Sequence, residues 1–255
     1  MSEPTTTLVF LHYFGGSARE WDDLTGAIGD DHPCLALNLR GHGGRGDGDG
    51  YERGIDALVY EVAADIEEAR LTDYVIVGHS MGGKVALALA AQQPSGLRGL
   101  LLLAPSPPTP EPISDKDRAE SLATWGDREA SDLCLQRITN LPVTAEAAAR
   151  FTEDNLRTTE AVWQWWYRTG SREDISGRMM DVAVPVWIMT GSEDSVISPQ
   201  VQQSETAAPL ANSRLVRIPG AGHLLNDEVP RTVEAALRQF IAVLKIDLKE
   251  TVAAQ

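Results

Sequence analysis

Residues 74–93 read Tyr74-Val75-Ile76-Val77-Gly78-His79-Ser80-Met81-Gly82-Gly83 and then Lys84-Val85-Ala86-Leu87-Ala88-Leu89-Ala90-Ala91-Gln92-Gln93. The first four residues are apolar and mostly β-branched, the pattern of a strand buried on both faces. Lys84 to Gln93 is rich in alanine and leucine and stops at Pro94, so it reads as a helix. Between them lies Gly78-His79-Ser80-Met81-Gly82, a G-x-S-x-G turn in strand–turn–helix context. A strand that reverses this sharply into a helix forces its central residue into a strained backbone. The flanking glycines relieve the crowding because they carry no Cβ. Ser80 is then exposed at a helix N-terminus, where the helix dipole favours developing negative charge.

This elbow resembles the nucleophile turn of the α/β-hydrolase superfamily, and the likeness extends along nearly the whole chain. It implies an α/β fold: a mostly parallel central sheet flanked by helices, with an inserted all-helical lid. The expected core spans 1–105 and 185–255, and the expected lid spans 106–184. Strands are expected at Thr7–Leu11, Cys34–Asn38, Leu100–Ala104, Pro185–Thr190 and Arg214–Ile218. The first of them feeds the oxyanion loop directly, a shortened form of the family sheet. Helices are expected at Trp21–Ile28, Tyr51–Arg70, after Ser198-Pro199, and from Asn226 to Leu244, with a frayed polar tail beyond Ile246. The proline-dense run from Pro105 to Pro112 cannot be helix or central strand, so it marks the exit into the lid.

The resemblance also assigns roles. Ser80 matches the nucleophile, Asp194 in Gly191-Ser192-Glu193-Asp194 the triad acid, and His223 in Pro219-Gly220-Ala221-Gly222-His223 the base. Their order, Ser then Asp then His, is that of the fold. His12-Tyr13-Phe14-Gly15-Gly16 is similar to the family's His-Gly-x-x-Gly loop, with Tyr13 where glycine is usual. The backbone N–H groups of Phe14 and Met81 are the expected oxyanion hole. His12 is expected to brace that loop. His42, in a loop similar to the family's Asp-x-x-Gly-x-Gly with Asn38 replacing the Asp, is expected to be structural. Tyr13, His79, Trp125, Trp163 and Trp166 are the candidate substrate contacts. Trp163 and Trp166 share one helix face and could roof an apolar pocket.

The chain has 255 residues, a formal net charge of −15 and 43% hydrophobic residues. That charge argues against nucleic acid and anionic membranes as partners. No apolar run is long enough to cross a bilayer, and Met1–Thr7 lacks a leader pattern, so a cytoplasmic location is expected. Cys34 and Cys134 lack metal-ligand spacing and read as buried thiols; the acids of Arg45–Gly50 do not complete a calcium loop. No metal or organic cofactor is called for. The pattern does not specify an oligomeric state.

These features point to a serine hydrolase that cleaves small carboxylic esters with apolar or aromatic acyl groups. Four other readings share the same residues. They are a cofactor-free perhydrolase, a carbon–carbon bond hydrolase, a lyase like the menaquinone-pathway SHCHC synthase, and a non-catalytic small-molecule receptor. The lyase shares Glu20-Trp21 and Arg40-Gly41-His42-Gly43-Gly44, and would need several of Arg118, Arg128, Arg137, Arg150, Arg157 and Arg168 facing Ser80.

Overall fold

The computed structural model describes residues 6–46 and 54–253, with side chains through residue 245. Most of the expected 45–50 turn and the first residues of the expected 51–70 helix lie outside the described residues. Strands β1 (Thr7–Leu11), β2 (Cys34–Leu37), β3 (Tyr74–His79), β4 (Leu97–Leu103), β5 (Val186–Gly191) and β6 (Ser213–Ile218) form one six-stranded sheet. Its order is β2-β1-β3-β4-β5-β6, and every pairing is parallel.

Alternation along the strands sorts the core into two layers. Leu8, Phe10, Val75, Val77, Leu101 and Leu103 face α1 (Asp22–Ile28) and α10 (Pro230–Ala253). Val9, Leu11, Ile76, Leu100 and Leu102 face α2 (Ile55–Glu68) and α3 (Met81–Ala90). A sheet covered on both faces needs strands apolar at every position, which explains the unbroken runs in the sequence. Phe240 of α10 is wholly buried with its ring 5.2 Å from that of Trp187. Burial of such a side chain contributes about 1.5–3 kcal/mol.

Helix boundaries shift where local chemistry overrides the pattern. The first helix begins as a single 3₁₀ turn, Ala18–Trp21, and α3 starts at Met81, directly after Ser80. The expected segment after Ser198-Pro199 is a short helix, α8 (Pro199–Val201), continuing as a π-helical stretch over Gln202–Ala207. The expected last helix is divided: α9 covers Leu225–Glu228, and α10 opens at Pro230. The helix α10 is assigned through Ala253, past the expected end at Leu244.

Between β4 and β5 the chain carries α4 (Asp115–Ala123), α5 (Arg128–Ile138), α6 (Ala145–Arg157) and α7 (Glu160–Arg168). Side chains of Ser114, Asp127 and Thr144 cap α4, α5 and α6 by accepting from the N–H three residues on. Lys84, on α3 one turn past Ser80, ties this segment to the core. It is wholly buried and donates to the carbonyls of Thr109 (3.1 Å) and Glu173 (2.5 Å), one at each end of the excursion. Desolvation pulls its pKa down to about 8, against the attraction of Glu111, Glu173 and Asp174. A lysine in an unfolded chain stays near the ordinary value of about 10.4. Between the two values the unfolded state binds more protons, so the stability tied to this group rises with pH. In urea titrations, the unfolding free energy of the wild type minus that of Lys84→Met is expected to increase from about pH 7.5 to about pH 10. A flat difference would show that the ammonium is not desolvated. Among the described residues, no helix is long and apolar enough to cross a membrane.

Candidate active site

Phe14 follows β1, Ser80 follows β3, Asp194 follows β5 and His223 follows β6, all at the C-terminal ends of parallel strands. Ligand crevices of open α/β sheets lie at that edge. Ser80 has φ 50° and ψ −115°, a conformation L residues rarely adopt. Its own carbonyl holds the turn, accepting from the N–H groups of Gly83 (2.9 Å), Lys84 (3.2 Å) and Ser106 (2.9 Å). Gly82 is obligatory for close approach. A Cβ there would stand 2.3 Å from the Leu11 carbonyl oxygen and 2.7 Å from that of His12. The elbow therefore presses on the end of β1, which sets the spacing between the Phe14 loop and Ser80.

The three candidate triad residues come together. The His223 Nδ1–H donates to Asp194 Oδ2 at 2.9 Å, and Nε2 lies 3.0 Å from Ser80 Oγ. The other carboxylate oxygen, Oδ1, accepts the N–H groups of Val196 (2.8 Å) and Ile197 (3.0 Å). With the carboxylate so held, His223 Nδ1 carries the proton and Nε2 presents a lone pair to the serine hydroxyl. Ser80, Asp194 and His223 are all buried.

Tyr13 fits its loop without a left-handed backbone, because the positive φ falls two residues later, at Gly15 (φ 84°). Its N–H donates to Glu20 Oε2 at 3.2 Å, and its ring stacks on Phe151. His12 is wholly buried; its Nδ1–H donates to the Tyr13 carbonyl (2.7 Å) and its Nε2 accepts the Leu39 N–H (3.0 Å). Desolvation brings its pKa down to about 4, so it is a neutral brace. His42, also buried, has its pKa pushed down to about 3, first by desolvation and then by His12.

His79 is not brought to the cavity. It is fully buried, with Nδ1–H donating to Glu20 Oε1 (2.6 Å) and Nε2–H donating to the His223 carbonyl (3.0 Å). Both partners present oxygens, an arrangement that favours the protonated ring. Burial opposes that charge, but the Glu20 carboxylate beside it raises the pKa above its ordinary value. Its place is behind the site, supporting the His223 backbone. Trp125 is also outside the cavity. It is 40% exposed, with its indole N–H donating to the Thr158 carbonyl at 2.9 Å.

Two acids take positions behind the site that the sequence pattern did not assign to them. Glu20 links the Tyr13 N–H to His79. Glu228 accepts the N–H groups of Gly222 (2.9 Å) and Leu224 (3.2 Å) on either side of His223, and of Asn140 (2.9 Å) and Leu141 (2.7 Å) after α5. The His223 N–H donates to the Ile138 carbonyl at 2.8 Å, so the loop carrying the imidazole is fixed to α5.

A cavity of about 600 Å³ opens over Ser80 and His223 between the core and α4–α7. Tyr13, Phe14, Phe151, Trp163, Trp166 and Tyr167 supply aromatic lining. Phe14 stacks on Trp166 at 5.4 Å, and the Trp163 indole N–H donates to the Ser121 carbonyl at 2.8 Å. Among the described residues that line it, Glu111, Asp117 and Glu120 are acidic and Arg137 is the one arginine. Arg118 instead donates to the Ile113 and Tyr167 carbonyls and to Ser171, and Arg150 pairs with Asp227.

A model of the alpha/beta hydrolase family matches residues 8–236. A 2-succinyl-6-hydroxy-2,4-cyclohexadiene-1-carboxylate synthase of Enterobacter sp. (strain 638) is 29% identical over 253 residues, covering 95% of this chain and 93% of the relative. A putative non-heme bromoperoxidase, BpoC, of Mycobacterium tuberculosis is 28% identical, covering 93% and 94%. Among solved structures, the enol-lactonase from Burkholderia xenovorans LB400 superposes with a TM-score of 0.81 at 21% identity over 94% of this chain and 92% of its own. An esterase from Exiguobacterium antarcticum gives 0.81 at 17% identity over 93% and 92%.

Proposed function

Since the chain belongs to the alpha/beta hydrolase family, a family of enzymes, we propose that it hydrolyses small carboxylic esters through an acyl-enzyme on Ser80. The observation that carries this reading is the unbroken relay Ser80 Oγ–His223–Asp194 opening onto the cavity. His223 Nε2 takes the hydroxyl proton as Ser80 Oγ attacks the carbonyl carbon, and the C=O electrons move onto its oxygen. The N–H groups of Phe14 and Met81 receive that oxyanion. The C–O bond to the alcohol then breaks as the imidazolium returns its proton to the leaving oxygen. Water, with His223 again as base, attacks the acyl group and frees Ser80 as the acid product departs. Asp194 holds the imidazole in the Nδ1–H tautomer and stabilises the imidazolium. Segment 106–184 serves as the lid, and Phe14, Trp163 and Trp166 receive the apolar body of the substrate.

A second reading is the synthase activity, favoured by the 29% identity to the Enterobacter protein. The named product carries two carboxylates, and such a ligand needs several cations facing it. Of the six candidate arginines, Arg137 alone lines the cavity among the described residues, beside three acids. The ester reading therefore ranks first. Release of p-nitrophenol from p-nitrophenyl butyrate, and formation of 2-succinyl-6-hydroxy-2,4-cyclohexadiene-1-carboxylate, are to be measured on one preparation. Saturable ester turnover without synthase product is expected; the reverse pattern would make the synthase reading correct.

A further inference from the structure

The cavity combines two features that the hydrolytic relay does not require. The first is a buried acid. Glu111 is only 6% exposed, yet it lines the same cavity as Ser80 and His223. The cations near it make no hydrogen bond to its carboxylate: Lys84 donates to the carbonyls of Thr109 and Glu173, and Arg118 to Ser171 and to the carbonyls of Ile113, Tyr167 and Glu111 itself. Neither of them lines the cavity. Desolvation raises the Glu111 pKa, while the Ser106 hydroxyl, Lys84, His223 and Arg118 work in the opposite direction. A positive group seated in the cavity would join that second set. Asp117 and Glu120 of α4 and Arg137 of α5, all exposed, also line the cavity.

The second feature is a cluster of mutually packed aromatic rings on the cavity wall. Phe14 lies 5.2 Å from Trp163, 5.4 Å from Trp166 and 5.4 Å from Tyr167, and all four line the cavity. Aromatic faces attract a desolvated cation through the ring quadrupole, most strongly an alkylated ammonium that sheds its water cheaply. A polycarboxylate meets the opposite field. The net charge of −15 adds a long-range attraction for cations.

We propose that the cavity holds an alkylammonium group of the substrate, with the Phe14–Trp163–Trp166–Tyr167 cluster against its alkyl shell and Glu111 as its counter-charge. This names the substrate class of the ester-hydrolase site and rests on that reading for the reaction, though not for binding.

The test is made on full-length Ser80→Ala protein, so that binding is read without turnover. Butyrylcholine and its uncharged isostere, 3,3-dimethylbutyl butyrate, are titrated by calorimetry and tryptophan fluorescence. The cation is expected to bind at least about tenfold more tightly than the isostere. Adding Glu111→Gln is expected to reduce that preference to about threefold or less. A ratio near one in the Ser80→Ala parent, or a preference that Glu111→Gln leaves intact, overturns the proposal. If the double variant does not fold, the parent ratio alone decides. Wild-type protein that shows the preference but turns over no ester would sink the hydrolase reading and leave the cation site standing.

Discussion

Replacing Ser80 by alanine is expected to lower kcat/KM for p-nitrophenyl butyrate by at least about 10⁴-fold while leaving the fold intact. The variant keeps His223, Asp194 and the N–H groups of Phe14 and Met81, so only the attacking oxygen is lost. The residual rate reports the oxyanion donors and binding alone. A second substitution at the same position separates chemistry from conformation. Ser80 holds φ 50° and ψ −115°, and a non-glycine residue in such a region costs of order 1–3 kcal/mol. Ser80→Gly is therefore expected to be as inactive as Ser80→Ala but to melt at a higher temperature. Equal melting temperatures for the two variants would mean that the elbow stores no strain.

Asp194→Asn is expected to reduce kcat by about 10⁴-fold with little change in KM. The carboxylate uses one oxygen for the Val196 and Ile197 N–H groups and the other for His223 Nδ1–H. An asparagine that keeps its oxygen on the two backbone donors turns its amide N–H₂ toward His223 Nδ1. The imidazole must then carry its proton on Nε2, aimed at Ser80 Oγ, and cannot accept the hydroxyl proton. The volume and the turn are retained, so thermal stability should stay close to wild type. A loss of less than about tenfold would mean that Asp194 supports the loop rather than the base.

The elbow and the sheet were legible because each rests on local grammar, whereas Asp194 and His223 were named only through the resemblance to the family's motifs and their order in the chain. A buried parallel strand must be apolar at every position, as Val75–Val77 and Leu100–Leu103 are. The reversal at Ser80 needs small neighbours, and Gly82 is held under the Leu11 carbonyl. The face shared by Trp163 and Trp166 follows from helical spacing, and both reach the cavity. What could not be read are pairings between distant residues. His79 stands beside the nucleophile in sequence, yet its side chain turns away to Glu20, 59 residues earlier. Glu228 accepts from Asn140 and Leu141, 88 and 87 residues earlier, and no spacing announces that. Trp125 lies in the turn between α4 and α5, where helical periodicity gives no direction. The C-terminal bound of α10 lies past Leu244 because polar composition alone does not stop a helix that continues from a well-packed one.

The central claim is that Ser80 is the activated nucleophile of this site. Its most direct test is incubation of the folded protein with a p-nitrophenyl alkylphosphonate, followed by mass spectrometry of the digested chain. One p-nitrophenol released per chain, with the phosphonyl group on the peptide holding Ser80 and with slower labelling in Asp194→Asn, is the expected result. A folded protein that remains unlabelled at Ser80, or that takes the phosphonyl group at another residue, would contradict it.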